Sequence, residues 1–158
     1  ITPAYLVTQD ADDIQDYSQI TMELGRRFRA LKLWFVIRAY GVAGLQKIIR
    51  DHVAWAEQLA ERLGAVPGIE LTSPVQLGLF SFRLRPEGTE DGEALDRLNA
   101  EFLDTVNGDG TIYLTQTVHE GRYIIRVSIG TTATSQDDID IAFDTITRLA
   151  APYLKTAT

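Results

Sequence analysis

The stretch Gly25-Arg26-Arg27-Phe28-Arg29-Ala30-Leu31-Lys32-Leu33-Trp34-Phe35-Val36-Ile37-Arg38-Ala39-Tyr40-Gly41-Val42-Ala43-Gly44-Leu45-Gln46 decides how the rest of this chain is read. It predicts a helix over residues 25–41, cationic in its first turns and apolar in its second half. The run Leu31, Leu33, Trp34, Phe35, Val36, Ile37 is broken by Lys32 and leaves no clean polar face. A helix that is apolar nearly all round lies buried inside a larger body. Arg26, Arg27, Arg29 and Lys32 stand where the helix dipole disfavours cations, so acidic groups from the fold or from a partner are expected to meet them. These arginines read as structural, and Trp34 reads as a core or interface residue.

On the N-terminal side, residues 1–24 read as loop. Thr2-Pro3 opens an extended turn, because the residue before proline is pushed away from helical angles. The cluster Asp10, Asp12, Asp13, Asp16 offers little to bury. The chain begins at Ile1, and its first segment has no element of its own; it reads as a piece of something longer.

On the C-terminal side, a second helix is predicted from Leu45 to Leu63. Leu45, Ile48, Ile49, Val53, Ala56, Leu59, Ala60 and Leu63 recur at three- and four-residue intervals, with Trp55 as a further core or interface residue. Gly64 and Pro67-Gly68 stop it. Short strands follow at Ile69–Leu71 and at Leu79–Arg85, where Phe80, Phe82 and Leu84 alternate with Ser81, Arg83 and Arg85. A helix carrying Leu95, Leu98, Phe102 and Val106 runs to Asn107-Gly108. Strands at Thr111–Val118 and Arg122–Ile129 flank His119-Glu120-Gly121, which puts His119 at an exposed turn. Ser135 caps the last helix, and Asp138 three residues later completes an approximate capping box. Ile139, Ala142, Phe143, Ile146, Leu149, Ala150 and Tyr153 form its buried stripe.

Residues 45–158 therefore read helix, two strands, helix, two strands, helix. That order suits an α+β domain, an antiparallel sheet with helices on one face. A ferredoxin-like regulatory or oligomerisation module would also alternate helices with strand pairs, although the helix at 25–41 has no place in it.

Composition narrows the function. The chain has 158 residues and 45% hydrophobic content, enough for one domain with a real core. A net charge of −7 and the lack of a basic arm argue against a nucleic-acid partner. No apolar run approaches the roughly 20 residues of a membrane span, and no signal-peptide pattern is present. The location expected is cytoplasmic. Cysteine is absent, and His52 and His119 have no ligand-type spacing around them, so no metal site is expected. Arg126 stands in a strand of otherwise apolar residues and needs a partner, because an unpaired buried charge is costly. Its guanidinium fork suits a carboxylate, either a protein side chain or an external one.

The run GRRFRALKLWFVIRAYGVAGLQ, with its Gly-Val-x-Gly-Leu-Gln tail, resembles the group II pyridoxal-phosphate decarboxylases, and within them the aromatic-amino-acid branch. Pro3-Ala4-Tyr5-Leu6 resembles the Pro-x-Tyr-Leu of that family's mobile active-site loop, and Ile14-Gln15-Asp16-Tyr17 the segment leading back to the core. The resemblance covers nearly the whole chain but corresponds to the C-terminal third of such an enzyme. It implies that residues 1–44 are a catalytic-loop remnant and the last helix of the cofactor-binding large domain. Residues 45–158 would then be the small C-terminal domain of a fold-type-I enzyme.

The same resemblance implies roles for three residues. Tyr5 would deliver the proton that a decarboxylated substrate must receive, on a loop that closes against water. Phenylalanine at that place goes with aldehyde-forming chemistry, so Tyr5 implies plain decarboxylation; from the residues alone it is an exposed loop tyrosine. Gly25 would enlarge the pocket beside the substrate ring and favour DOPA-, tryptophan- or 5-hydroxytryptophan-like substrates over histidine. Backbone geometry at a helix start accounts for that glycine equally well. Arg126, followed by Thr131-Thr132-Ala133-Thr134-Ser135, would meet the substrate α-carboxylate. Such a clamp stabilises the ground state, so it helps decarboxylation by orienting the scissile bond.

The family's cofactor lysine sits in an Asn/Asp-x-His-Lys motif that is absent here, and Lys32, Lys47 and Lys155 have no such context. Pyridoxal phosphate is thus expected on a missing N-terminal part, and this chain alone is expected to be inactive. The implied partners are that N-terminal part, a second copy in an intertwined homodimer, and an amino-acid substrate. Glutamate, histidine or diaminobutyrate would be substrates of related enzymes; glutamate fits the Arg-Arg-Phe-Arg run and its apolar tail least.

Overall fold

One glycine interrupts the first helix. In the computed structural model, which describes residues 27–155, α1 runs Arg29–Gly64 and leaves helical geometry inside that span at Gly41, with φ 68° and ψ 164°. The sequence predicts a helix to residue 41 and a fresh start at Leu45. A single residue at positive φ is enough to break the ladder, and glycine takes that conformation without a Cβ penalty. Gly44 stays helical, so no separate loop forms.

Contacts divide the chain into two units, Ile1–Ala39 and Tyr40–Thr158. In the described part of the first unit, Trp34 meets Phe35 edge-on at 5.1 Å and Arg38 lies 5.7 Å over the Trp34 ring. Leu33, Trp34 and Phe35 are 61%, 54% and 58% exposed in this chain.

In the second unit α1 becomes one-sided. His52, Ala56, Leu59, Ala60 and Leu63 are buried at three- and four-residue intervals, whereas Ile49 is exposed. The buried stripe thus begins about two turns later than Leu45. Then follow β1 (Ile69–Leu71), β2 (Leu79–Leu84), α2 (Glu93–Asp109), β3 (Thr115–His119), β4 (Arg122–Ser128) and α3 (Gln136–Leu154).

The strands form one sheet in the order β1-β2-β4-β3, and every neighbouring pair is antiparallel. The alternating residues Phe80, Phe82, Leu84, Ile125 and Val127 face a core completed by Leu59 and Leu63 of α1, Phe102 and Val106 of α2, and Ile139, Ile146 and Ala150 of α3. All three helices therefore cover one face, as the α+β reading expects. An α-β-β-α-β-β-α order with antiparallel neighbours throughout does not match the β-α-β-β-α-β order of a ferredoxin-like module.

Side chains of two asparagines set details that periodicity does not carry. Asn99 is fully buried: its Oδ1 accepts from the Leu84 amide at 2.7 Å, and its Nδ2 donates to the Leu84 and Leu95 carbonyls at 2.9 Å each. It pins α2 to the end of β2. Asn107 accepts from the Leu114 amide at 2.9 Å and donates to the Leu114 carbonyl at 3.1 Å. Leu114 is therefore bound to α2, and β3 starts at Thr115 instead of residue 111. The helix itself continues past Asn107-Gly108 and stops at Gly110, whose φ is 79°.

The β3–β4 hairpin turns on Glu120-Gly121, both at positive φ (51° and 76°), the handedness that a two-residue hairpin needs. His119 ends β3 opposite Arg122 and is exposed. The capping box forms as predicted, with the Ser135 side chain accepting from the Asp138 amide and the Asp138 carboxylate accepting from the Ser135 amide. Among the described residues, no helix is long and apolar enough to cross a membrane.

Candidate functional site

Strand alternation sends Ser81, Arg83, Ile124 and Arg126 to the sheet face opposite the helices. Two arginines on this face have different surroundings. Arg83 is completely buried, and its Nε donates to Glu70 Oε2 at 3.0 Å while its Nη2 pairs with Asp91 Oδ1. Arg85 shares Glu70 at 3.4 Å. The hydrogen bond from Arg83 holds the Asp91 carboxyl below the usual carboxylate range, against a smaller opposing effect of burial. The buried Nη1 of Arg83 has no partner among the described residues. Ser81, Arg83 and Arg85 alternate with the core-facing residues of β2, and Ser81 and Arg83 are buried as well. Arg83 is buried with Glu70 of β1 and with Asp91 from the loop between β2 and α2, and no spacing rule connects Asp91 to it.

Arg126 is half-buried and lies directly opposite Ser81 on β2 and Thr115 on β3. It lines a cleft of about 250 Å³ together with Ser73, Leu79, Ser81, Thr117, His119 and Ile124. Among the described residues no aspartate or glutamate lines this cleft, and Arg126 has no ion-pair partner there. One wall is a hydroxyl cluster: Thr72 Oγ1 bonds Ser81 Oγ at 2.9 Å, and Ser81 Oγ bonds Ser73 Oγ at 2.8 Å. A cationic fork, hydroxyl donors and apolar walls suit a small anion attached to an apolar body.

The histidines do not complete a catalytic set. His119 is exposed at the hairpin end, 4.0 Å from Glu120, which also pairs with Arg122. His52 is buried in the core beside Trp55, with its Nε2 3.0 Å from the Thr131 carbonyl. No group of three potential metal ligands occurs among the described residues. Of the three residues singled out in the sequence, Arg126 is in the cleft; Tyr5 and Gly25 lie outside the described residues.

A carbonyl cofactor held through a lysine does not fit the described residues. Lys32, Lys47 and Lys155 are all exposed, Lys47 is paired with Asp51 at 2.5 Å, and none of them lines the cleft. What the cleft offers is a place for an anion, not an amine for a carbonyl.

Comparison with known proteins gives three kinds of match. Residues 1–85 match the pyridoxal-dependent decarboxylase conserved domain. A tryptophan decarboxylase of Camptotheca acuminata is 37% identical over 97% of this chain and 31% of its own length. A phenylacetaldehyde synthase of Petunia hybrida is 33% identical over 92% of this chain and 30% of its own. The crystal structure of Oryza sativa TDC with PLP and tryptamine superposes with a TM-score of 0.83 at 30% identity, over 98% of this chain and 33% of that one. The chain thus spans about a third of the length of the curated relatives it matches.

Proposed function

The chain belongs to the pyridoxal-dependent decarboxylase family, and from that premise we propose that it is the C-terminal part of an enzyme converting an aromatic L-amino acid to its amine and CO2. Pyridoxal phosphate is the cofactor of that enzyme, held by the N-terminal part, since no lysine among the described residues fits it. Residues 1–44 belong to the large domain and residues 45–158 form the small one. The exposed apolar side chains of Leu33, Trp34 and Phe35 support a cover from the N-terminal part and from a second copy in a homodimer.

One observation carries the reading: Arg126 lines a cleft on the sheet face opposite the helices, with no acidic side chain on its walls and no anionic partner among the described residues. An arginine placed to serve stability would carry its own acid, as Arg83 does. Arg126 is the group for the substrate α-carboxylate, and it acts by fixing the direction of the bond that breaks. Tyr5 is the proton donor to the decarboxylated carbon, and Gly25 leaves room for a large ring.

In the intact, cofactor-loaded enzyme, Arg126→Met lowers kcat/KM for an aromatic amino acid by about a hundredfold, the scale of a lost charge-assisted bidentate contact. Its melting temperature stays within about 2 °C of the parent, as for a charge with no internal partner. A kcat/KM within threefold of the parent would overturn the assignment. The 33% identity to a phenylacetaldehyde synthase favours a second reading, oxidative formation of an aldehyde. Tyr5 weighs against it. Tyr5→Phe should move the product from amine toward aldehyde; unchanged amine output would remove the role given to Tyr5.

A further inference from the structure

The hydroxyl cluster beside Arg126 has a direction. Thr72 Oγ1 donates to Ser81 Oγ at 2.9 Å, and Ser81 Oγ in turn donates to Ser73 Oγ at 2.8 Å. The Ser81 amide also donates to Ser73 Oγ, at 3.0 Å. A serine hydroxyl has one proton to give and two lone pairs to receive. At Ser73 both lone pairs are engaged, so what remains is the proton, and no acceptor for it occurs among the described residues. The relay thereby makes Ser73 a donor. Pro74 follows it and biases the Ser73 backbone toward extended angles, which steadies the hydroxyl in the cleft wall.

Ser73 and Arg126 line the same cleft of about 250 Å³. Ser81, which passes the proton direction to Ser73, sits directly opposite Arg126 in the ladder. The cleft therefore combines a guanidinium fork with a separate O–H donor, and no carboxylate among the described residues lines it to compete for either. We infer that Ser73 is a second binding residue for the carboxylate held by Arg126, donating its hydroxyl proton to one carboxylate oxygen. This rests on the reading of Arg126 as the carboxylate group. The guanidinium fork sets the plane of the carboxylate, and a donor from a separate segment holds one of its oxygens from a second direction. A ligand that has lost its carboxylate leaves both donors unpaired, so the site discriminates substrate from decarboxylated product.

The test is equilibrium binding to the intact, cofactor-loaded enzyme of two unreactive probes: indole-3-propionate, which carries the carboxylate, and 3-ethylindole, which does not. Ser73→Ala weakens indole-3-propionate about tenfold, the scale of one hydrogen bond to a charged group, and leaves 3-ethylindole within about twofold. Ser73→Thr keeps the hydroxyl and stays within about threefold of the parent for both probes. Should the alanine variant fail to fold, Ser73→Cys, similar in shape and a weak donor, reads the same loss. Arg126→Met in the same assay separates the two claims. If it loses the acid while Ser73→Ala does not, or if Ser73→Ala loses both probes equally, the inference for Ser73 falls and Arg126 stands. If Arg126→Met binds the acid as the parent does, the carboxylate reading of the cleft falls and Ser73 falls with it.

Discussion

Arg83 and Arg126 stand on the same face of one sheet, each flanked by apolar neighbours, and the two ends of that face treat them oppositely. At the β1–β2 edge, Arg83 is fully buried, with Glu70 across the ladder and Asp91 from the following loop. At the β3–β4 end, Arg126 is half-buried among hydroxyls and aliphatic side chains, with no acid in reach among the described residues. A buried guanidinium that serves the fold must bring its counter-charges with it, because leaving it unpaired costs several kcal/mol. A guanidinium left facing a cleft awaits an anion from outside. The difference lies in the neighbours, not in the arginines.

Arg83→Ala removes the centre of the ionic cluster and leaves Glu70 and Asp91 facing each other; it should cost about 3–5 kcal/mol in denaturant unfolding while activity per folded molecule holds. A large activity loss without a stability loss would put Arg83 in the same class as Arg126. Asn99→Ala strands the Leu84 amide and carbonyl and should cost about 2–4 kcal/mol by the same measurement. A loss below about 1 kcal/mol would mean that water or a shifted α2 replaces the side chain.

Giving Arg126 an acid of its own is a sharper trial. Thr115 is exposed and directly opposite it, so Thr115→Glu supplies a cross-strand partner. Stability should rise by about 0.2–1 kcal/mol. Binding of indole-3-propionate should fall about tenfold, since the new carboxylate competes for the fork. Unaltered binding would argue that Arg126 does not hold the ligand. The smallest effect belongs to the surface cap, where Ser135→Ala should cost about 1 kcal/mol. The hydrogen bond from the Ser135 side chain, joined by one from its amide, holds the Asp138 carboxyl below its ordinary 3.8. A depressed folded value means that this contribution is present above the unfolded pKa and is lost as pH falls through the folded one. An NMR titration of Ser135→Ala should therefore find Asp138 moved back up toward 3.8; no movement would mean that the box does not set its charge.

Much of the fold could be read from the residues. Phe80, Phe82 and Leu84 alternate as a strand with one face in the core, and Ser135 and Asp138 mark a helix start by chemistry that is purely local. What could not be read is what side chains do across space. Asn107 reaches Leu114 and delays β3, and Asn99 sits inside an apolar stripe because it serves a neighbouring strand. Alternation places Arg83 opposite the core-facing residues of β2 but carries no sign of Asp91, which pairs with it from the following loop. For the site, the sequence shows that Arg126 needs an anion but not whether the protein provides it. The directed hydroxyls of Thr72, Ser81 and Ser73 come together across a turn, so no pattern along the chain announces them. Tyr5 and Gly25 rest on the resemblance to the family's loop and helix start, outside the described residues.

The most direct measurement is a crystal structure of the intact, cofactor-loaded enzyme with an aromatic amino acid or its unreactive carboxylate analogue bound. The carboxylate should lie in the cleft, with two Arg126 nitrogens about 2.7–2.9 Å from its oxygens. A carboxylate held elsewhere, with Arg126 paired to an aspartate or glutamate of the protein, would contradict it.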